Sequence, residues 1–364
     1  MKSCYLTAGI RFSPFIRLLR ENQVSFRPRY LGRMAFLLQS GLWSSFFSKI
    51  EKARFGDALN HTPAPVNPVF IIGHWRSGST FLHQIMACDP QFTAPTLFQT
   101  AQPDHFISSY PYYRPIFLAM VGKYRPMDNV RLGMNEPQED EYALYRLTGF
   151  SPLTRLIFPQ EKRYFLHGVG SYLPPDPQCA EEWEHQITHF FKKISFHTGK
   201  RIVSKNPFHS LRIETLSRLF PEARFIHIVR NPMRSIPSTI NLWDIVQRQN
   251  CLNRNKCRPT TGEVCDVLNH LLDQIDIQSE KLPENRFREI RFEDLEQDPL
   301  NAMQSMYQDL DIPYTASFEI NLKKFLSEVS SFRKNTFTLT NIEKQEINEK
   351  MGKMMSRYHY SPYI

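Results

Sequence analysis

The chain has 364 residues, 41% hydrophobic and 13% aromatic, which supports a sizeable folded core and excludes a disordered protein. Its formal net charge is +9, but ten lysines and arginines fall within the first 56 residues, against Glu21 and Glu51 alone. The remainder is nearly neutral, so it offers no basic face for nucleic acid.

The basic segment, residues 1–60, reads as a helical N-terminal extension. Within it, Met34–Phe47 (MAFLLQSGLWSSFF) is apolar but interrupted by Gln39, Ser40, Gly41, Ser44 and Ser45. A bilayer span needs about 20 apolar residues, so this is not one, and no cleavage site follows to make it a signal peptide. Two readings stay open: a helix packed on the main domain, or an interfacial helix that meets anionic lipid through its flanking arginines. The three prolines of Asn60–Pro68 end the extension. A single domain is expected over residues 65–364. The six cysteines (4, 88, 179, 251, 257, 265) contain no C-x-x-C pair and read as free thiols of a reducing, cytoplasmic compartment.

Val69–Ile72 is a short apolar run ending in glycine, as a buried parallel strand should be. The turn that follows, Gly73 to Thr80, matches the spacing of a phosphate-binding loop, with Gly73, Gly78 and Thr80 in place but Ser79 where the lysine belongs. Ser79–Ala87 then puts Phe81, Leu82, Ile85 and Met86 on one helical face. Residues 92–198 are mostly helical and aromatic and read as an insertion on the acceptor side. Beyond them come a strand (Ile202–Ser204), a helix (Ser210–Phe220), a strand (Arg224–Val229), a helix (Met233–Val246), a last strand (Glu289–Phe292) and a helix from about Leu300 to Leu310. This alternation predicts an α/β fold: a P-loop-type parallel sheet flanked by helices.

The missing lysine is informative. In nucleotide loops it reaches a γ-phosphate, beside a hydroxyl that holds magnesium. A ligand with neither needs only a backbone cradle, a helix N-terminus and one cation, and Arg76 lies in the loop to provide it. Arg230 ends a strand, and Ser238 stands about two helical turns further on, making a second anion site distinct from the loop.

Together these stretches resemble the sulfotransferases that use 3′-phosphoadenosine-5′-phosphosulfate (PAPS). RSGST (76–80) is similar to their 5′-phosphosulfate loop and RNPMRSIPS (230–238) to their 3′-phosphate motif. The stretch SKNPFHSLRIETLSRLFPEARFIHIVRNP resembles the protein-tyrosine sulfotransferases, and EPQEDEYAL (136–144) and RFEDLEQDP (291–299) resemble the bacterial-type family. The resemblance implies that Arg76, Ser77, Gly78, Ser79 and Thr80 cradle the phosphosulfate, that Arg230 and Ser238 hold the 3′-phosphate, and that no metal is required. It also implies a transition-state role for Lys205, while Arg333–Asn335 is similar to basic segments that close over the 3′-phosphate.

The tyrosine enzymes carry a catalytic glutamate about twenty residues beyond the loop arginine. Here that region, Pro95–Thr100, has only Gln99. The substitute is the acidic run holding Glu136, Glu139, Asp140 and Glu141, with Glu139 expected as the base, Glu136 and Asp140 expected to start a solvated helix, and His209 and His105 as outsiders. The acceptor is a hydroxyl of a lipid, glycan, small alcohol or peptide tyrosine, facing the aromatic stretch Leu97–Met127. A P-loop kinase and a membrane-surface module are the rival readings. The first lacks its lysine, and the second leaves Arg76, Arg230 and Ser238 unexplained.

Overall fold

The computed structural model describes residues 6–22, 24, 28–120, 133–158, 173–174, 176–252, 258–329 and 337–361. Cys4, Cys257, Arg333–Asn335 and the end of the 97–127 stretch lie outside these residues.

Two helices, α1 (Phe12–Glu21) and α2 (Leu31–His61), precede β1 (Val69–Ile72) and α3 (Ser79–Ala87). A short strand β2 (Phe92–Thr93) leads into α4 (Leu97–Ala101), α5 (Phe106–Met120), α6 (Glu141–Thr148), α7 (Thr154–Ile157) and α8 (Pro177–Thr198). Next come β3 (Arg201–Lys205), α9 (Ile213–Leu219), β4 (Arg224–Val229), α10 (Pro232–Asn250), α11 (Thr261–Ser279) and β5 (Phe287–Arg291). The chain continues through α12 (Phe292–Gln297), α13 (Pro299–Asp309), α14 (Ala316–Val329) and α15 (Asn341–Arg357).

The five strands form one parallel sheet in the order β2-β3-β1-β4-β5. β1 is central and all four of its residues are buried, which is why it reads as an unbroken apolar run. On one face, Val69 and Ile71 pack with Leu82, Ile85, Leu295 and Met306 from the helices around α3 and α13. On the other, Phe70 and Ile72 join Leu144, Trp183, Phe190 and Leu216.

β1, α3 and β4 fall where the sequence predicts them. Two elements differ. The expected helix from Ser210 begins instead as a 3-10 turn, Pro207–Leu211, capped by Asn206, whose Oδ1 accepts from Phe208 N at 2.9 Å. β5 starts two residues early, and Phe292 leaves the sheet to open α12.

The N-terminal helices do not stand apart. α1 and α2 build a core of their own with Tyr145, Ile157 and Phe158 of the insertion. Glu51 of α2 is buried, accepts from Ser108 N and Oγ at 2.8 and 3.0 Å, and pairs with the equally buried Lys193 of α8. Arg11 lies 3.4 Å from Asp104. Met34–Phe47 is thus part of a helix packed on the domain, with Met34 and Leu37 inward and Leu42, Trp43 and Phe46 exposed.

Candidate active site

Gly73 follows β1 with φ +131°, Arg76 sits at φ +65°, and Gly78 at φ +94° caps α3. Gly73 N donates to Ser210 Oγ at 3.0 Å, which fastens the loop to the 3-10 turn after β3. A side chain at Gly78 is excluded by space as well as by φ, because its Cβ would lie 2.0 Å from Phe292 Cδ2. The backbone N–H groups of Ser79 and Thr80 open the helix and have no carbonyl within it to bond. Arg76 is a non-glycine residue in the left-handed region, a conformation that must be held by its surroundings. One such hold is the 2.9 Å hydrogen bond from its Nε to Ser238 Oγ.

Arg230, at the end of β4, donates through Nη1 to Arg76 O at 3.4 Å, and its guanidinium lies 4.4 Å from the centre of the Phe292 ring. Burial lowers its pKa from the usual arginine value, with Glu293 opposing. The two anion sites expected to be distinct therefore adjoin. The reason is that α10 starts immediately after β4, so its second turn folds Ser238 back against the loop.

Several polar atoms around this loop suit a ligand rich in acceptors. Ser77 Oγ and Arg230 Nε are buried and have no hydrogen-bond partner among the described residues. Both residues line a small cavity with His74, Ser235 and Met354. His74 donates from Nδ1 to Trp75 O at 2.9 Å, and burial pulls its pKa down to about 4.

Lys205, at the end of β3, pairs in register with Ile71 of β1, and the next residue, Asn206, donates its N–H to Ile71 O at 3.1 Å. Its ammonium is therefore delivered beside the strand that feeds the loop. There it forms an ion pair with Glu139, both side chains being largely buried. How Glu139 arrives is visible in the backbone: Thr96 bridges Pro137, Leu97 N donates to Glu136 O at 2.9 Å, and Gln138 N to Pro95 O at 2.8 Å. The segment that lacks a carboxylate is thus paired with the segment that carries four. Gln99 caps α4 together with Thr96.

Asp140 and Glu141 of the acidic run are not solvated, contrary to the sequence expectation of a solvated helix start, whereas Glu136 is half-buried. Asp140 is buried and accepts from Ser204 Oγ (2.7 Å), Asn206 Nδ2 (2.8 Å) and His209 Nε2 (2.8 Å). Burial alone would raise its pKa, but His209, with help from Ser204 and Asn206, holds it below the ordinary aspartate range. Arg212 Nη1 lies 3.4 Å from His209 Nδ1, which fits Nδ1 accepting and Nε2 donating. Glu141 accepts from Ser151 Oγ (2.6 Å), Asn206 Nδ2 (2.9 Å) and Arg212 Nη1 (2.7 Å). His209 thus stands one layer behind Glu139, bound to its neighbour. His105 is buried elsewhere, bonded to Ser109 Oγ at 2.8 Å and packed between Phe47 and Tyr113, with its pKa pressed down to about 3 by burial.

Sequence reasoning missed Phe292, whose ring fills the space between Gly78 and Arg230, and the network of Ser204, Asn206, Arg212 and Glu141 behind Glu139. The RFEDLEQDP likeness pointed to the Phe292 segment, although not to the ring's position.

Residues 68–316 match the model of the sulfotransferase family. The omega-hydroxy-beta-dihydromenaquinone-9 sulfotransferase Stf3 of Mycobacterium bovis is 31% identical over 98% of this chain and 91% of its own length. Its counterpart in Mycobacterium tuberculosis matches to the same extent. Among solved structures, sulfotransferase STF9 from Mycobacterium avium superposes with a TM-score of 0.64, 17% identity and 96% coverage of both chains. STF1 from Mycobacterium tuberculosis gives 0.62 and 16%, over 92% of this chain and 90% of that one.

Proposed function

This chain belongs to the sulfotransferase family and is an enzyme of sulfuryl transfer, and we propose that it uses PAPS to sulfate the hydroxyl of a lipid met at a membrane surface. The lipid class is favoured by the name of the 31% identical relative, a sulfotransferase of a hydroxylated menaquinone. The exposed Tyr110, packed edge-on against the buried Phe98, adds an apolar wall near the acidic segment.

The observation that carries the mechanism is the Glu139–Lys205 ion pair beside the loop strand. Bound PAPS supplies an activated sulfuryl group on its 5′-phosphate. Arg76, Ser77 and the N–H groups at Gly78–Thr80 bind that phosphate end, while Arg230 and Ser238 bind the 3′-phosphate. Glu139 accepts the proton of the acceptor hydroxyl as its oxygen bonds to sulfur. Lys205 stabilises the negative charge left on the phosphate oxygen as the sulfur–oxygen bond breaks. The ion pair with Lys205 also holds the Glu139 side chain in place. The buried Asp140 and Glu141 network fixes the backbone on either side of this pair.

The test is transfer of label from ³⁵S-PAPS to a long-chain isoprenoid alcohol, to a glycan and to a tyrosine peptide. Sulfation of the isoprenoid alcohol is expected. Label on the peptide or glycan alone would refute the lipid reading while leaving the family untouched.

A further inference from the structure

The mid-part of α2 exposes large apolar side chains where a soluble helix would carry polar ones: Leu42 is 55% exposed, Trp43 48% and Phe46 55%. On the neighbouring α5, Tyr112 is 64% exposed. Ring contacts tie the two helices together here. Trp43 and Phe46 both pack on Phe47, at ring distances of 6.0 and 5.4 Å, and Phe47 meets Tyr113 of α5 at 5.5 Å.

The charge beside the patch is mostly basic, with Asp57 the exposed carboxylate further along α2. Lys49, Lys52 and Arg54 are exposed on the next turns of α2, and Arg114 is exposed on α5. The one carboxylate between residues 31 and 56, Glu51, is turned inward and occupied by Lys193. α5 carries none. An apolar face rimmed by lysine and arginine complements the surface of an anionic bilayer, where aromatic rings enter the headgroup boundary and basic groups meet phosphate. No described helix is long and apolar enough to cross a membrane, so the contact is a lateral one.

We propose that the face formed by Leu42, Trp43, Phe46 and Tyr112 docks this enzyme on an anionic lipid bilayer; the inference rests on the lipid-acceptor reading above and gives it a route. From this face Tyr113 leads one turn back along α5 to Tyr110, which packs on Phe98 of α4 at 5.2 Å. The cap of that helix, Thr96, bridges Pro137, two residues before Glu139. The face is thus linked through Tyr113, Tyr110 and α4 to the segment that carries Glu139.

The experiment is co-sedimentation with phosphatidylcholine vesicles made with and without phosphatidylglycerol. The wild type is expected to partition onto the anionic vesicles. Trp43→Ser/Phe46→Ser, which alters exposed positions only, is expected to bind at least about tenfold less, from the apolar area it withdraws. Lys49→Glu/Lys52→Glu is expected to lose the preference for phosphatidylglycerol. Both variants should keep wild-type turnover on a short water-soluble alcohol, which shows that they are folded. Failure of the wild type to bind, or equal binding by the aromatic variant, overturns the proposal. So does a wild-type dimer, seen by sedimentation velocity without vesicle binding, that the aromatic variant dissociates. Vesicle binding without sulfation of embedded lipid supports the docking face and overturns the acceptor reading instead.

Discussion

Arg76 Nε donates a 2.9 Å hydrogen bond to Ser238 Oγ, joining the loop after β1 to the second turn of α10. The two residues come from stretches 162 positions apart, and each was assigned to a different phosphate. Their contact means that the loop and the helix adjoin, so the two proposed phosphate sites share a boundary.

Arg76→Ala is expected to weaken binding of 3′-phosphoadenosine-5′-phosphate more than tenfold, because a hydrogen bond to a charged group contributes roughly 1.5–3 kcal/mol. Ser238→Ala removes a neutral partner and should cost less. Titration calorimetry on folded variants reads both, and unchanged affinity in Arg76→Ala would refute the assignment of the loop.

Glu139→Gln keeps the size of the side chain and removes its basicity. Turnover should fall by about 10²–10⁴-fold, the usual range for a general base, with nucleotide affinity nearly unchanged. Asp140→Asn is the contrasting variant: its main effect should be a lower Tm, since it discharges a buried carboxylate that holds His209. A Glu139→Gln enzyme with most of its turnover would show the base to be elsewhere.

The contrast shows how much of the site was legible. β1, α3 and β4 announce themselves by apolar runs and a helical face, since each is decided by its own residues. The fate of the acidic run is not so decided, because the partners of Asp140 and Glu141, Ser151 apart, lie 64 to 71 positions away in β3 and the residues after it. A run of acids at a helix start looks solvated until those partners are known. β5 was misplaced for another reason: as an edge strand with the sequence FREIR, it is only partly buried and lacks an apolar run.

Gly78→Ala combines a left-handed φ with a Cβ driven into the Phe292 ring. The φ alone costs about 1–2 kcal/mol, and the clash adds to it, so a clear drop in Tm is expected. Adding Phe292→Ala should recover part of that stability. It should not recover nucleotide binding, because the ring also supports the Arg230 guanidinium. Full recovery of affinity in the double variant would show the ring to be filler only.

His74 gives a pH signature. Burial lowers its pKa from 6.5 to about 4, so the unfolded chain binds its proton first. The stability it contributes is complete above about pH 6.5 and is lost as pH falls towards 4. Asp104, raised by burial to about 6, acts in the opposite sense over about pH 4–6. The reading must therefore be a difference: His74→Asn, which retains a donor for Trp75 O, should flatten the fall of Tm between pH 6.5 and 4 relative to wild type. Parallel curves would mean that His74 does not titrate in this window.

The buried Glu51–Lys193 pair bears on how such a protein can be cut or recombined. A chain shortened to begin at residue 65 would keep the Lys193 ammonium inside the domain and discard its carboxylate. Breaking a buried pair in this way costs about 3–5 kcal/mol, against a total stability of about 5–15 kcal/mol for a typical domain. The helices α1 and α2 are then part of the packed domain, whatever their composition suggests. They are inherited with α8, and a chimera exchanging acceptor regions between relatives would have to carry both together.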